Sequence, residues 1–370
     1  MKKIGILTFW NVPNYGTFLQ AYALRNVVQE IRPGDSVELI AYLDKIHYAG
    51  YYGIFNYRYK LWPINPRFYL EALGRIRNYK NISGLKSFLK YYETIPHTKP
   101  LNANKLKNEK FDTVILGSDI IWDYTFSLFN NDPFLFGNNI NADNKISYAA
   151  SFGTVKVDDE FPQYVQEGIK ALDAISVRET KSTEIVKKIT GKDSLIVADP
   201  TFLWDFSIDS NVIKPKMKDP YIVVYGSYFT DELIEGVCRY SKENGLKIVC
   251  LNSLDDTYDW CDINIQQNDL SPYEWLGYFA DAEVVMTCTF HGMMFGLIFN
   301  KKMVFSPTQF ILDKSTSFIN ALGLMEVLVD YKTFEEKVNW SWDYHEINKR
   351  ISYLREESIN YLKEYVVKGE

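Results

Sequence analysis

His291 and Gly292 lie at the junction of two apolar segments, where a strand is predicted to end and a helix to begin. Residues 284–286 form a short apolar run typical of a buried parallel strand, residues 287–289 are polar, and residues 293–299 are apolar. A helix that begins at the carboxyl end of a strand offers N–H groups and a positive dipole end to phosphate or carboxylate. The imidazole of His291 could donate or accept a proton there near neutral pH. The alternative interpretation is a core histidine that caps its own turn.

Arg178 occupies a similar position in the first half of the chain. It follows an apolar run at residues 174–177 and precedes a helical pattern at residues 180–189. These neighbours place its guanidinium at the same kind of strand end as His291. The alternative interpretation is a structural cation that forms a salt bridge with Glu179 or another carboxylate.

Small polar turns follow several predicted strands of the first half. Strands are predicted at residues 4–9, 37–42, 113–116, 146–150, 174–177 and 195–198, and helices at residues 19–31, 162–172 and 180–189. The turns of interest are a loop at residues 11–17 with Pro13, Asn14 and Gly16, then Gly117-Ser118-Asp119, and then Ser151-Phe152-Gly153. This alternation of strands and helices predicts βαβ units and a parallel sheet.

The α/β pattern restarts after a stretch at residues 201–219, which has the composition of an interdomain linker. Strands are predicted at residues 221–225 and 247–251, with a helix at residues 231–242 between them. Ser271-Pro272-Tyr273-Glu274 is a capping box, and it predicts the start of the helix that leads to the His291 unit. Residues 346–367 have the pattern of a long charged amphipathic helix.

These elements predict an α/β protein with two Rossmann-like domains and a ligand bound in the cleft between them. The first domain is predicted at residues 1–205, with a helical insertion at about 48–110, and the second at residues 206–345, which carry His291. A C-terminal helix is assigned to residues 346–370.

Composition excludes several classes of function. The 370 residues carry a net charge of −6, which argues against general nucleic-acid binding. Four cysteines lack any metal-binding or CxxC spacing, so we expect free thiols in a reducing cytoplasm and no obligatory metal. No run approaches the roughly 18 apolar residues of a membrane span, and the apolar start at residues 4–10 is too short for a signal peptide. A cytoplasmic location is the expectation.

The predicted insertion is both aromatic and basic. Nine of the 22 residues at 48–69 are Tyr, Phe or Trp, and residues 58–110 contain 12 Lys or Arg against three Asp or Glu. This density predicts a peripheral contact with the inner face of a membrane, or with an anionic lipid-linked acceptor. The residues proposed for that contact are Tyr51, Tyr52, Tyr57, Arg58 and Lys60. The alternative is a solvated helical excursion that its aromatic side chains pack together.

Six motifs together resemble those of the polysaccharide pyruvyl transferase family, and they occur in the order found in that family. They are Lys3-Ile4-Gly5-Ile6-Leu7 with Asn14-Tyr15-Gly16 and Leu19-Gln20-Ala21-Tyr22-Ala23-Leu24; Gly117-Ser118-Asp119 with Trp122; Ser147-Tyr148-Ala149-Ala150-Ser151-Phe152-Gly153; Ile175-Ser176-Val177-Arg178-Glu179; Asp199-Pro200-Thr201; and Phe290-His291-Gly292. The resemblance covers most of the chain apart from residues 48–110 and the tail.

The resemblance implies a two-domain fold of the GT-B type and a transfer reaction. A pyruvyl group would move from phosphoenolpyruvate to two hydroxyls of a sugar, in a bacterial-type surface polysaccharide or its lipid-linked precursor, to form a pyruvate ketal. Phosphoenolpyruvate is then a co-substrate, and no obligatory cofactor is expected. Two positions depart from the family pattern: Ile120, where Gln is frequent, and Cys288-Thr289, where Asp-Ser is frequent.

The resemblance also assigns roles to residues. His291 is the acid–base candidate, and Arg178 is a fixed cation suited to bidentate contact with the phosphate or carboxylate. Donor binding is assigned to Gly292, Thr289, Thr287 and Ser151, and substrate binding to Asn14, Tyr15, Gly16, Gln20, Ser118 and Asp119. Two alternatives stay open: a glycosyltransferase that uses a nucleotide-sugar donor, and a non-catalytic glycan-binding protein.

Overall fold

The structure is a computed structural model that describes residues 1–44, 47, 90–129, 131–252, 257–266 and 269–366. The chain divides into two compact units, Met1–Leu203 with Glu357–Glu370, and Trp204–Glu356. The residues proposed for membrane contact, Tyr51 to Lys60, lie outside the described residues, so that prediction stays open. Within the described chain, no helix combines the length and apolar character that a membrane span requires.

The first unit is built on a parallel sheet. Its strands are β1 (Lys3–Leu7), β2 (Ser36–Leu39), β3 (Lys110–Leu116) and β4 (Asn141–Ser147), in the spatial order β2-β1-β3-β4. A parallel pair, β5 (Ser176–Val177) and β6 (Leu195–Ile196), continues the layer, because isolated bridges join Ile146 to Ala174 and Ala150 to Val177. The helices are α1 (Tyr15–Ile31), α2 (Ala103–Asn108), α3 (Gln163–Lys170) and α4 (Thr180–Thr190).

The second unit repeats the same architecture. Its parallel sheet contains β7 (Tyr221–Tyr225), β8 (Lys247–Leu251), β9 (Ile263–Ile265), β10 (Val284–Thr287) and β11 (Lys302–Phe305), in the order β11-β10-β7-β8-β9. The helices are α5 (Asp231–Asn244), α6 (Pro272–Asp281), α7 (Phe290–Ile298), α8 (Gln309–Ala321), α9 (Phe334–Asn339) and α10 (Tyr344–Tyr365), the last of which continues into the first unit.

The central strands are apolar on both faces, as parallel strands covered by helices require. All five residues of β7 and all four of β10 are buried. Helix α7 is also almost entirely apolar, and seven of its nine residues are buried. A Cβ on Gly296 would lie 2.1 Å from the sulfur of Met303, so this glycine lets α7 lie directly against the sheet. The start of α7 is therefore held by packing along the whole helix.

The structure corrects three predicted boundaries. Helix α1 begins at Tyr15 rather than at residue 19, because the Asn14 side chain accepts a hydrogen bond from the Thr17 N–H and caps it. Residues 96–101 do not belong to an insertion: the Leu39 N–H donates to the Pro96 carbonyl, and Tyr42 forms a parallel bridge with Leu101. Lys110, the predicted end of the insertion, is the first residue of β3.

The C-terminal helix also differs from its prediction as a separate element. Its last turns belong to the first unit, where the Tyr361 hydroxyl donates to the Ser147 carbonyl at 2.9 Å and Asn144 donates to the Tyr365 carbonyl at 2.9 Å. The dividing point between Leu203 and Trp204 stands beside the predicted boundary at 205/206.

Candidate functional site

The motif residues of the first unit lie at a topological switch point. From β1 the chain moves to β2 on one side of the sheet, and β3 then pairs with the other side of β1. Ligands of open α/β sheets bind outside the carboxyl ends of the strands at such a point. The segments that follow β1 and β3 contain Asn14 and Gly117-Ser118-Asp119.

Gln20 and Ser118 connect these two segments through buried hydrogen bonds. The Gln20 amide donates to the Phe9 and Thr17 carbonyls, both at 2.9 Å, and the Ser118 hydroxyl donates to its amide oxygen. Both side chains are fully buried. Their polar groups form hydrogen bonds inside the protein and position the two loops, and their predicted contact with substrate stays a prediction.

Asp119 is the member of this group that reaches the surface. Its carboxylate accepts hydrogen bonds from the Ile120 N–H at 2.8 Å and from the Thr17 hydroxyl at 3.2 Å, in the first turn of α1. Asn14 is exposed beside that turn, whereas Tyr15 and Gly16 are buried in it. Of the six residues predicted to bind substrate, Asp119 and Asn14 are therefore the ones placed to meet a ligand directly.

Ser151 joins the same edge through its backbone. Its N–H donates to the Asp119 carbonyl at 3.0 Å, and its carbonyl accepts from the Trp122 N–H at 3.2 Å. The Ser151 hydroxyl is buried and accepts a hydrogen bond from the Gly153 N–H at 3.1 Å. Its contact with the donor stays a prediction.

Asp123 was not recognised in the sequence, although its carboxylate joins the loop after β3 to the loop after β4. The buried carboxylate accepts hydrogen bonds from the Thr125 hydroxyl at 2.6 Å and from the Thr154 N–H at 2.7 Å. Gly153 makes this contact possible: its φ is +56°, and a Cβ there would lie 2.3 Å from the Asp123 carboxylate. An aspartate before Tyr and Thr in a loop gives no sequence signal of this role.

Arg178 lies among carboxylates of its own unit. Its Nη1 is 3.0 Å from Asp199 Oδ2, its Nε is 3.8 Å from Glu179 Oε2, and its side chain is only 4% exposed. Burial opposes the charged form, but Asp199, Asp119 and Glu179 outweigh that effect and raise the pKa of Arg178. The salt-bridge interpretation is thus present in the structure, and contact with a donor anion stays a prediction.

The second unit presents its motif at its own switch point. From β7 the chain moves to β8 and β9 on one side, whereas β10 and β11 lie on the other. The segments after β7 and β10 are Gly226-Ser227 and Cys288-Thr289, and α7 follows the second of them. His291 is the second residue of that helix.

Two threonines fix the start of α7. The Thr289 hydroxyl accepts the Gly292 N–H at 3.0 Å and lies 3.0 Å from the Thr287 hydroxyl, which donates to the Tyr225 carbonyl at 2.7 Å. A Cβ on Gly292 would lie 2.2 Å from the Thr287 hydroxyl oxygen, so only glycine fits against this pair. Thr287, Thr289 and Gly292, all predicted to bind the donor, therefore build the helix start itself.

Cys288 joins the two segments of this edge. Its thiol donates to the Ser227 carbonyl at 2.8 Å and accepts from the Ser227 N–H at 3.3 Å. Burial raises the pKa of the Cys288 thiol, which keeps it neutral and unsuited to nucleophilic work. Gly226 has a φ of +129°, and a Cβ there would lie 2.4 Å from the Cys288 sulfur.

His291 is half-buried at the start of α7. Its ring meets the Phe290 ring edge to face, with centroids 5.3 Å apart. The side chain that caps the helix is Thr289, through the Gly292 N–H, and the acid–base role of His291 stays a prediction. Among the residues that the structure describes, no group of three His, Cys, Asp or Glu side chains could hold a metal ion.

The family model described as polysaccharide pyruvyl transferase matches residues 14–307 of this chain. The chain belongs to the polysaccharide pyruvyl transferase family. The match begins at Asn14 and ends two residues beyond β11, so it contains the switch-point residues of β3, β7 and β10. The resemblance drawn from the six motifs is confirmed.

One solved structure agrees with the fold of this pyruvyl transferase family member. A putative UDP-N-acetylglucosamine 2-epimerase from Listeria monocytogenes matches with a TM-score of 0.52 and 9% identity, over 97% of this chain and 94% of that chain. This likeness concerns the fold alone, and it confirms the predicted class of two Rossmann-like domains of the GT-B type.

Two other solved structures match at lower scores. The S. aureus MnaA–UDP structure has a TM-score of 0.48 and 13% identity, over 99% of this chain and 91% of that chain. The glycosyltransferase SsfS6 of Streptomyces sp. SF2575, complexed with thymidine diphosphate, has a TM-score of 0.45 and 12% identity, over 98% and 99%. No curated protein matches the chain.

The residues that depart from the family pattern all make structural contacts in this protein. Cys288 bridges to Ser227, and Thr289 is the cap of α7. Ile120 is partly buried and packs against the core of the first unit. Each of the three side chains therefore has a structural contact within its own unit.

Proposed function

We propose that this protein transfers a pyruvyl group from phosphoenolpyruvate to two hydroxyls of a saccharide and releases phosphate. The observation that carries the proposal is the family match at residues 14–307, whose motifs lie at the carboxyl ends of the strands in both units. Both new bonds join a sugar oxygen to C2 of the donor. The methylene carbon gains one proton and becomes a methyl group, and the product is a pyruvate ketal.

The second unit suits the anionic donor. The first turn of α7 presents the positive end of the helix dipole at this edge, and the Thr287–Thr289 pair holds that turn in place. Thr287, Cys288 and Thr289 form hydrogen bonds with hydroxyl and backbone groups, which carry no negative charge. We assign His291, beside this turn, as the general acid or base.

The first unit suits a neutral, hydroxyl-rich acceptor. Its edge presents Asp119 and Asn14, and the carboxylates of Asp199 and Glu179 lie beside the guanidinium of Arg178. Excess carboxylate repels a phosphate but accepts hydrogen bonds from sugar hydroxyls. Donor contact by Arg178 and Ser151 is retained as a prediction, and it requires that Arg178 exchange a carboxylate partner for the ligand.

The test is a reaction panel with purified protein, phosphoenolpyruvate and saccharides, both free and lipid-linked. We expect phosphate release that depends on the saccharide, and a product heavier by one pyruvate less one water in the mass spectrum. A parallel panel with nucleotide sugars distinguishes the glycosyltransferase alternative, and chelator in half of the wells tests the expectation that no metal is needed. Saccharide binding without turnover in either panel would favour the glycan-binding alternative and overturn the proposal.

A further inference from the structure

The Asp119 carboxylate is held in one orientation at the acceptor edge. Its backbone has a φ of 73°, a left-handed conformation that aspartate adopts more readily than most residues. One carboxylate oxygen accepts from the Ile120 N–H at 2.8 Å, and the other accepts from the Thr17 hydroxyl at 3.2 Å. The Asp119 carbonyl accepts from the Ser151 N–H, which fixes the same residue from the opposite side.

Asp119 differs from its neighbours in how far it reaches. Gly117 and Ser118 are buried, whereas Asp119 is half-buried. The carboxylates that pair with Arg178 are also buried, with Glu179 and Asp199 only 1% and 2% exposed. Asp119 is therefore the carboxylate of this cluster that a ligand can meet.

A carboxylate in this setting matches a sugar hydroxyl in chemistry. The Asp119 carboxylate already accepts hydrogen bonds from an N–H and from a hydroxyl, and a sugar hydroxyl is a donor of the same kind. The neighbouring carboxylates of Asp199 and Glu179 already pair with Arg178, and a hydroxyl brings a donor to the carboxylate of Asp119. An oriented carboxylate within hydrogen-bond reach of a hydroxyl is also the arrangement required of a general base.

We propose that Asp119 binds the reacting hydroxyl of the saccharide acceptor and takes up its proton; this rests on the proposed pyruvyl transfer. In the first step the O–H bond breaks toward Asp119 and the oxygen bonds to C2 of the donor, while the methylene carbon receives a proton from a general acid. In the second step the general acid, now in its basic form, takes the proton of the other hydroxyl, whose oxygen bonds to C2 while the C2–O bond to phosphate breaks with its electron pair on phosphate. The proton held by Asp119 then passes to the phosphate, which leaves as hydrogen phosphate.

The test uses Asp119→Asn, because asparagine keeps the left-handed backbone and the acceptor for the Ile120 N–H but cannot take up the proton. We expect the kcat of transfer to fall by about 10²–10⁴, with phosphoenolpyruvate binding unchanged. The acidic limb of the pH profile of kcat, along which a general base becomes protonated, should be lost. Asp119→Gly tolerates the same φ and should show the same loss, which covers the case in which the asparagine variant folds poorly. Asp159→Asn is the matched control: this half-buried carboxylate of the same unit caps the turn at Lys156 and should leave turnover unchanged.

Saccharide binding, measured by calorimetry without any donor, separates the two levels of inference. Weaker binding by Asp119→Asn than by Asp159→Asn would support the acceptor site even if the wild type transfers no pyruvyl group, in which case only the proposed function fails. Transfer by Asp119→Asn within about threefold of wild type, far short of a general-base loss, would overturn the role of Asp119. An equal loss of donor binding and acceptor binding would also overturn it, because the residue would then act through the fold.

Discussion

The cap of α7 gives a prediction whose size follows from the structure. In Thr289→Val the side chain keeps its shape but loses the hydroxyl that accepts the Gly292 N–H at 3.0 Å. Loss of an N-cap costs about 1 kcal/mol, and a buried N–H left without an acceptor costs about 1–3 kcal/mol. The Thr287 hydroxyl keeps its bond to the Tyr225 carbonyl, so the damage stays local. We therefore expect a loss of about 1–3 kcal/mol in the unfolding free energy, small enough for the protein to remain folded.

The assay combines urea unfolding with transfer kinetics. Because Thr289 holds the first turn of α7, we expect Thr289→Val to raise the KM for phosphoenolpyruvate as well as to lower stability. Thr289→Ser is the control, since it keeps the hydroxyl and should restore both quantities most of the way. A valine variant with wild-type stability and wild-type donor KM would refute the idea that this cap builds the donor site. A loss of stability without any change in KM would refute only the functional half.

Three further predictions follow from the described contacts. His291→Gln should fold and bind phosphoenolpyruvate but lose about 10²–10⁴ in kcat; turnover within about threefold of wild type would remove it from the chemistry. Arg178→Lys loses the planar guanidinium that pairs with Asp199 and should lower the melting temperature. If Arg178 also contacts the donor, the variant should show a raised dissociation constant for phosphoenolpyruvate in stopped-flow binding, at a temperature where both proteins are folded. Burial raises the pKa of Asp132 to about 6, partly offset by the Tyr42 hydroxyl, so the folded state favours its protonated form. Wild type should therefore lose up to about 3 kcal/mol of stability as pH rises from about 4 to about 6, and Asp132→Asn should lack that loss in urea titrations; equal pH profiles would contradict it.

Elements with strong local signals could be predicted from the sequence. The apolar runs at β7 and β8 are bounded by Pro, Gly or Lys and coincide with the structure. The capping box at Ser271 is present with both of its hydrogen bonds. The strand–turn–helix around His291 was recognised because a buried strand and a buried helix need a polar turn between them, and that turn lies at a sheet edge.

What the sequence hid depends on tertiary contacts. Asn14-Tyr15-Gly16 has the composition of a turn, yet Asn14 caps α1, and Tyr15 and Gly16 are buried in its first turn. Gln20 and Asp123 are polar residues with ordinary surroundings in sequence, and only the folded chain shows that they join loops that are far apart. Exposure could not be predicted either, so Ser118 and Asp119 were grouped together although only Asp119 reaches the surface.

The central claim is the transfer of a pyruvyl group, and the fate of C2 of the donor tests it most directly. Phosphoenolpyruvate labelled with carbon-13 at C2 should be incubated with the protein and the saccharide that releases phosphate, and the product examined by NMR. The account predicts that the label becomes a ketal carbon bonded to a methyl group, a carboxylate and two sugar oxygens, with one phosphate released for each ketal. Label that remains in phosphoenolpyruvate or appears only as free pyruvate, under conditions where the saccharide binds, would contradict it.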